Sequence, residues 1–238
     1  MAWRPSPLPA KHRALMSASQ PAPHAPVLAY VLTDALYVNL TSACTLACTF
    51  CPKIRDDDWV VGGFDLKLVR NPTADEVWVA IGRAGLLGRS EVVFTGLGEP
   101  TRRLDVLLAL SRRLVAAGCA RVRVDTDGLA SLREGQDVAP LLAAAGVNAI
   151  SVSLNAPDAA TYARICPNRY GESAYDAVRE FIRSAVRCIP DVAASAVALP
   201  GLSERDCRAV AEALGARFRW RPYDQLGRIE GAGSIPAP

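Results

Sequence analysis

Residues 149-AISVSLNA-156 alternate strictly, with Ile150, Val152 and Leu154 on one side of an extended chain and Ser151, Ser153 and Asn155 on the other. A strand covered on both faces in a parallel sheet reads as a continuous apolar run. This strand therefore has one apolar side for packing and one polar side for something else. The same division recurs in 121-RVRVDTDG-128, where Arg123, Asp125 and Asp127 oppose Val122 and Val124. It recurs again in 36-LYVNLT-41, with Tyr37, Asn39 and Thr41, and in 217-RFRWRPY-223, with Arg217, Arg219 and Arg221. Polar faces on four strands predict a curved sheet whose concave side lines a polar lumen, where a complete (β/α) barrel would place branched apolar layers.

Working outward, strands are expected at 36–40, 91–94, 121–125, 149–154, 192–198 and 217–221, separated by helical patterns. Thr73 and Glu76 make a capping box after Asn71 and Pro72, and Leu104, Leu107, Leu108, Leu114 and Val115 keep helical spacing until Gly118. Further helices are predicted at 137–145, closed by Gly146, at 173–187, and at 204–214 with Ser203 as N-cap. Strands alternating with helices give an α/β fold, a partial (β/α)6 barrel of TIM type with parallel strands.

The chain has 238 residues and is 50% hydrophobic, enough for one sizeable core. A Pro- and Ala-rich leader at 1–28 and a flexible tail at 226–238 are expected to flank a single domain at 29–225. The net charge of +3 gives no support to a nucleic-acid partner. No segment reads as a membrane span or a secretory signal, so a soluble cytoplasmic protein is expected. The only histidines, His12 and His24, lie in the leader, which disfavours His-containing zinc sites and Ser/His or Cys/His nucleophile pairs in the core.

Three of the seven cysteines, Cys44, Cys48 and Cys51, stand in C-x3-C-x2-C spacing just after the first expected strand. That is the end of an α/β barrel where sites are built. Thiolates at such short spacing hold iron–sulfur clusters, and three of them leave one iron of a cubane open. A closed zinc site would want a fourth ligand, and none is near in sequence. Cys119, Cys188 and Cys207 read as small buried hydrophobes. Cys166, in 163-ARICPNRYG-171, is the one further cysteine on the site side, a candidate second thiol or hydrogen donor.

With aromatic Phe50 before its third cysteine, 44-CTLACTFC-51 resembles the signature of radical S-adenosylmethionine (SAM) enzymes. The likeness continues in 94-FTGLGEP-100, similar to their GxGEP element, in 125-DTDG-128, similar to an NTNG-like turn, and in the strand 151-SVSLNA-156. Elements in the expected order cover about residues 35–223. More narrowly, the chain resembles the small radical SAM proteins associated with TatD-type hydrolases, in 36-LYVNLTSACTLACTFCPK-53, 62-GGFDLKL-68, 91-EVVFTGLGEPTRRLD-105 and 218-FRWRPY-223. Asp127 departs from the asparagine of that turn.

The resemblance implies a [4Fe–4S] cluster on Cys44, Cys48 and Cys51 whose open iron is chelated by SAM. Reductive cleavage then gives a 5'-deoxyadenosyl radical that abstracts hydrogen from a substrate. It also implies a flavodoxin- or ferredoxin-type electron donor and a TatD-type hydrolase partner. Gly96 and Gly98 would let backbone approach the methionine end of SAM, Glu99 would accept from its ammonium group, and Pro100 would direct the chain out of the site. Phe50 would shield the cluster or touch adenine. Ser153 and Asn155 would meet ribose or carboxylate, with Asp125 lining the lumen. Arg123, Arg219 and Arg221 are candidates for an anionic substrate, although ion pairing with Asp125 is equally open for them. An iron–sulfur electron carrier or a zinc-stabilised module remains as an alternative class. An activating or RNA-modifying enzyme acting on a macromolecule remains as an alternative within the class.

Overall fold

The computed structural model describes residues 26–86 and 88–223. Most of the expected leader, the expected tail and both histidines lie outside these residues. The described chain begins with an antiparallel hairpin, β1 (Ala29–Leu32) and β2 (Ala35–Val38). A short helix α1 (Pro52–Arg55) and a small hairpin of β3 (Val60–Val61) and β4 (Phe64–Asp65) follow. The alternation then runs α2 (Ala74–Ala84), β5 (Val92–Phe94), a 3-10 turn (Pro100–Arg103), α3 (Leu104–Ala116) and β6 (Val122–Thr126). It continues with α4 (Ala130–Glu134), α5 (Ala139–Ala144), β7 (Ala149–Ser153), α6 (Ala159–Ile165), α7 (Ser173–Cys188), β8 (Asp191–Val197), α8 (Glu204–Ala213) and β9 (Arg217–Arg221).

Seven strands form one sheet in the order β1-β2-β5-β6-β7-β8-β9. All neighbours are parallel except β1 with β2. The six expected strands are thus the parallel ones, and β1 and β9 are the two edges of an open, partial barrel. β1 is the strand the sequence pattern does not announce. Its four residues, AYVL, are too few to show a period, and its place is set by pairing with β2 and burying Tyr30.

Capping chemistry fixes the helix starts as expected. The Thr73 side chain accepts from the Glu76 N–H while the Glu76 carboxylate accepts from the Thr73 N–H, and Ser203 accepts from the Asp206 N–H. The convex face of the sheet carries Val38, Phe94, Val124, Ile150 and Val192, which pack with Leu107, Leu110 and Leu114 of α3 and Val178, Phe181 and Ile182 of α7 in the main core.

On the concave face the lateral rows set Asp125 beside Ser151 and Ala193, and Ser153 beside Ser195 and Arg219. Because β7 and β8 offer only Ala and Ser there, the lumen stays hollow. The result is a cavity of about 440 Å³, within the range of small-molecule sites.

Three expected lumen residues belong elsewhere. Asn39 donates to the Val27 and Leu66 carbonyls and ties the hairpin to the next loop. Thr41 donates to Asn71 and accepts from the Ala43 N–H in the turn that leads into the cysteine loop. Arg217 is exposed at the bottom rim, donating to Asp191. Cys207 is buried as expected, whereas Cys119 and Cys188 are only half-buried and hydrogen-bond to the Arg121 and Ser184 carbonyls.

Candidate active site

The loop after β2 carries Cys44, Cys48 and Cys51 to the mouth of the cavity, and all three are free thiols that line it. Two anchors hold the loop. The Glu99 N–H donates to the Ala43 carbonyl at 2.9 Å, and the Ala47 and Thr49 N–H groups donate to the Pro167 and Ile165 carbonyls at 2.8 and 2.9 Å. Cys51 caps α1, with the Ile54 and Arg55 N–H groups donating to its carbonyl. Phe50 and Leu46 are buried and also line the cavity, giving the loop an apolar underside.

Among the described residues no three His, Cys, Asp or Glu side chains converge on a point where one ion could sit. A tetrahedral zinc site needs that convergence. A cubane does not, because each thiolate binds a different iron. Burial pushes the Cys44 thiol up to about 12, helped by the charges of Glu99 and Asp127. Cys48 is raised by its hydrogen bond to Cys166 and by burial, and Cys51 by burial. The thiols of the metal-free chain are therefore protonated at neutral pH, and loading iron must release those protons.

Opposite the cysteines, β5 ends in the GLGEP stretch. A Cβ on Gly98 would lie 1.9 Å from the Thr41 carbonyl oxygen, and one on Gly96 would lie 2.9 Å from Asn39 Oδ1, with φ at +150°. Both glycines are thus required by the close approach of this loop to the β2 end of the sheet, a packing reason additional to any approach of a ligand. Pro100 opens the 3-10 turn, with Glu99 as its N-cap.

Glu99 is the hub of the mouth. Its Oε1 accepts from the Thr101 N–H at 3.0 Å, the Thr101 hydroxyl at 2.6 Å and the Thr126 hydroxyl at 2.8 Å. Among the described residues its Oε2 accepts only from the Asp127 N–H, at 2.7 Å, which leaves that oxygen lone-pair capacity for a cation. Arg133, reaching from α4, donates to the Thr101 carbonyl and hydroxyl and to Thr45, so it buttresses the hub from behind.

Asp127 is the residue the sequence reading undervalued. Its Oδ1 accepts from the Leu129 N–H at 2.9 Å, while among the described residues the buried Oδ2 has no partner at normal hydrogen-bond distance, with the Thr45 side chain close enough only to favour its charged form. Burial, with the neighbouring Glu99 charge, pushes this carboxyl up to about 8. Asn155 is similar: it holds φ +58°, donates through Nδ2 to Cys166 Sγ at 3.4 Å, and leaves Oδ1 buried without a partner among the described residues. A left-handed asparagine and an orphaned acceptor at one cavity are the kind of cost a fold carries at a site. Ser153, half-buried, lines the same wall.

Deeper in the lumen the picture changes. Arg123 faces Glu91 at 3.3 Å and Asp125 at 3.4 Å, so its charge and that of Asp125 are engaged with each other. Arg219 and Arg221 line the cavity from β9, and Arg221 is near enough to Cys48 to favour its thiolate. The cavity thus brings together Phe50, Gly96, Gly98, Glu99, Asp125, Ser153, Asn155, Arg123, Arg219, Arg221 and the three cysteines. Cys166 lies just behind Cys48, with their sulfurs 3.5 Å apart.

The residues fit a cluster with a zwitterionic ligand. Three free thiols spread over one rim face a wall with an available carboxylate oxygen, a buried orphan carboxyl oxygen and an orphan amide oxygen. Comparisons with known proteins agree. The curated relatives include the GTP 3',8-cyclase of Mycolicibacterium smegmatis, 35% identical over 132 residues, covering 55% of this chain and 33% of that protein. They also include the "Probable dual-specificity RNA methyltransferase RlmN 1" of Opitutus terrae, 32% identical over 131 residues, covering 52% of this chain and 34% of that protein. The chain spans about a third of the length of these relatives.

Among solved structures, Streptococcus suis SuiB bound to precursor peptide SuiA superposes with a TM-score of 0.61 at 17% identity, over 82% of this chain and 40% of that one. A radical SAM methyltransferase from Sphaerobacter thermophilus gives 0.53 at 18% identity, over 82% of this chain and 68% of that one. These likenesses establish the fold. The radical SAM superfamily profile matches residues 38–214, most of the chain, and a [4Fe–4S] cluster and SAM are that family's cofactors. The chain belongs to the radical SAM superfamily.

Proposed function

We propose that the protein is a radical SAM enzyme that abstracts hydrogen from a substrate held in the lumen. Cys44, Cys48 and Cys51 would hold the cluster, and the wall opposite would take SAM. The observation that carries this reading is the meeting of three free thiols with the orphaned Asp127 and Asn155 oxygens at one cavity mouth, in a chain of this family. When bound and reduced, the cluster and SAM supply a 5'-deoxyadenosyl radical. The chain's own residues do the rest. Glu99 Oε2 would accept from the ammonium of SAM, Asn155 Oδ1 and Ser153 would take ribose hydroxyls, and the Asp127 carboxyl, held protonated by burial, would donate to the SAM carboxylate. Phe50 and Leu46 exclude water from the cluster side.

Arg219 and Arg221, which line the cavity from β9, are assigned to substrate. Arg123 is assigned to the fold, because Glu91 and Asp125 already face it. An electron donor of flavodoxin or ferredoxin type, membership of the TatD-associated group and a hydrolase partner extend the proposal, supported by the resemblance of residues 36–53, 91–105 and 218–223. A cytoplasmic setting extends it too, and among the described residues no helix is long and apolar enough to cross a membrane. The test is anaerobic reconstitution with iron and sulfide, then SAM and dithionite. Formation of 5'-deoxyadenosine and methionine is expected, and its absence in iron-loaded protein would refute the reading.

A further inference from the structure

Cys166 stands outside the three-cysteine set, at the C-terminal end of α6, and is fully buried. The segment 47–49 runs beside 165–167, with the Ala47 N–H on the Pro167 carbonyl and the Thr49 N–H on the Ile165 carbonyl. The Thr49 hydroxyl donates to the Ile165 carbonyl as well, at 3.3 Å. These bonds flank Cys48 on one segment and Cys166 on the other, so the two residues are locked face to face. Their sulfurs, 3.5 Å apart, make the only sulfur–sulfur hydrogen bond among the described residues. The Asn155 amide, donating to Cys166 Sγ at 3.4 Å, holds that thiol on the side facing Cys48. Bringing the sulfurs from 3.5 Å to a bond of about 2.0 Å is a short closure between thiols already in contact.

We infer that Cys48 and Cys166 form a reversible disulfide in the cluster-free chain, so that the Cys48 sulfur has two exclusive uses, crosslink or iron. The two thiols differ in access: Cys48 is half-buried at the cavity mouth and Cys166 is sealed behind it. A low-molecular-weight disulfide such as oxidised glutathione therefore meets Cys48 first. Cys48 gives up its proton and its sulfur attacks one glutathione sulfur, breaking the S–S bond and releasing one glutathione thiolate, which takes up a proton. Cys166 then gives up its proton and attacks Cys48 Sγ, expelling the second glutathione thiolate. Two protein thiols are oxidised to one disulfide, and one oxidised glutathione is reduced to two thiols. The crosslink itself needs no cluster. Only its competition with iron rests on the function proposed above.

The experiment treats the full-length metal-free protein with oxidised glutathione and maps unreduced peptides by mass. A peptide joining Cys48 to Cys166 is expected in the wild type. In C166S a stable glutathione adduct on Cys48 is expected in its place, because the resolving thiol is gone. Iron and sulfide uptake, read by visible absorbance, should be blocked in the crosslinked protein and restored by dithiothreitol. Glutathione left on Cys48 in the wild type, or Cys48 joined to Cys44 or Cys51, would overturn the pairing. A 48–166 crosslink that leaves iron uptake undiminished would preserve the pairing and overturn Cys48 as an iron ligand.

Discussion

The two ends of the lumen are both polar, yet they are built on opposite principles. At the bottom, Arg121 pairs with Glu91 at 3.1 Å and with Asp191, Arg123 pairs with Glu91 and Asp125, and Arg217 pairs with Asp191. Three arginines meet three carboxylates across β5, β6, β8 and β9, and the charges balance within the protein. At the top, the Asp127 and Asn155 oxygens are buried and unsatisfied, and Glu99 keeps one oxygen partly free. Polarity by itself therefore does not mark the site. Arg123 Nε and Asp125 Oδ1 in the ladder also lack a hydrogen bond but face each other as an ion pair, whereas the buried acceptors at the top face no such partner, a cost a fold tolerates where a ligand will offset it. The bottom ladder lies at the floor of the lumen, and the top carries the cysteines and Glu99.

The contrast can be broken most severely at the cysteines. Replacing Cys44, Cys48 or Cys51 by serine should abolish iron–sulfur absorbance in reconstituted protein while the cluster-free melting temperature stays near that of the wild type. Next in size is Gly98→Ala. Its Cβ would drive into the Thr41 carbonyl and cost about 3 kcal/mol in a denaturant titration, as overpacking against backbone does.

At the bottom, Arg123→Ala strips Glu91 and Asp125 of a largely buried partner. A loss of about 2 kcal/mol is expected, with iron loading unchanged. Asp127→Asn sharpens the comparison through pH. The folded carboxyl titrates near 8, far above an unfolded aspartate, so the unfolded chain loses this proton first as pH rises. The wild type should therefore lose stability between roughly pH 4 and pH 8, by at most about 1.4 kcal/mol per unit, and level off above. The metal-free asparagine variant should lack that slope, so its advantage should grow across the window. The smallest effect belongs to Arg217→Ala, an exposed end of the ladder worth under about 1 kcal/mol.

Much of this was legible in the residues. Alternation in 149–156 and 121–128 predicts the hollow concave face because a period of two places whole sets of side chains on one side, whatever the tertiary detail. The three cysteines and the GxGEP loop are contiguous, so spacing alone locates them. Three features were less legible because they depend on contacts between distant segments. Cys166 meets Cys48 across 118 positions. Asp127 differs from Asp125, two residues away, only in what surrounds it: Arg123 faces the one and Glu99 the other. Asn39 and Thr41 share the strand pattern of lumen residues, but the strand ends at Val38 and their side chains serve the loops beyond.

On the proposed reading, the top of the lumen holds a cluster with one iron open to SAM. The most direct measurement is electron paramagnetic resonance of the reconstituted, dithionite-reduced protein, recorded with and without SAM. A [4Fe–4S] signal that shifts on adding SAM, in protein carrying about four irons per chain, is the predicted result. A signal that saturating SAM leaves unchanged, or a single bound zinc with no visible absorbance, would contradict it.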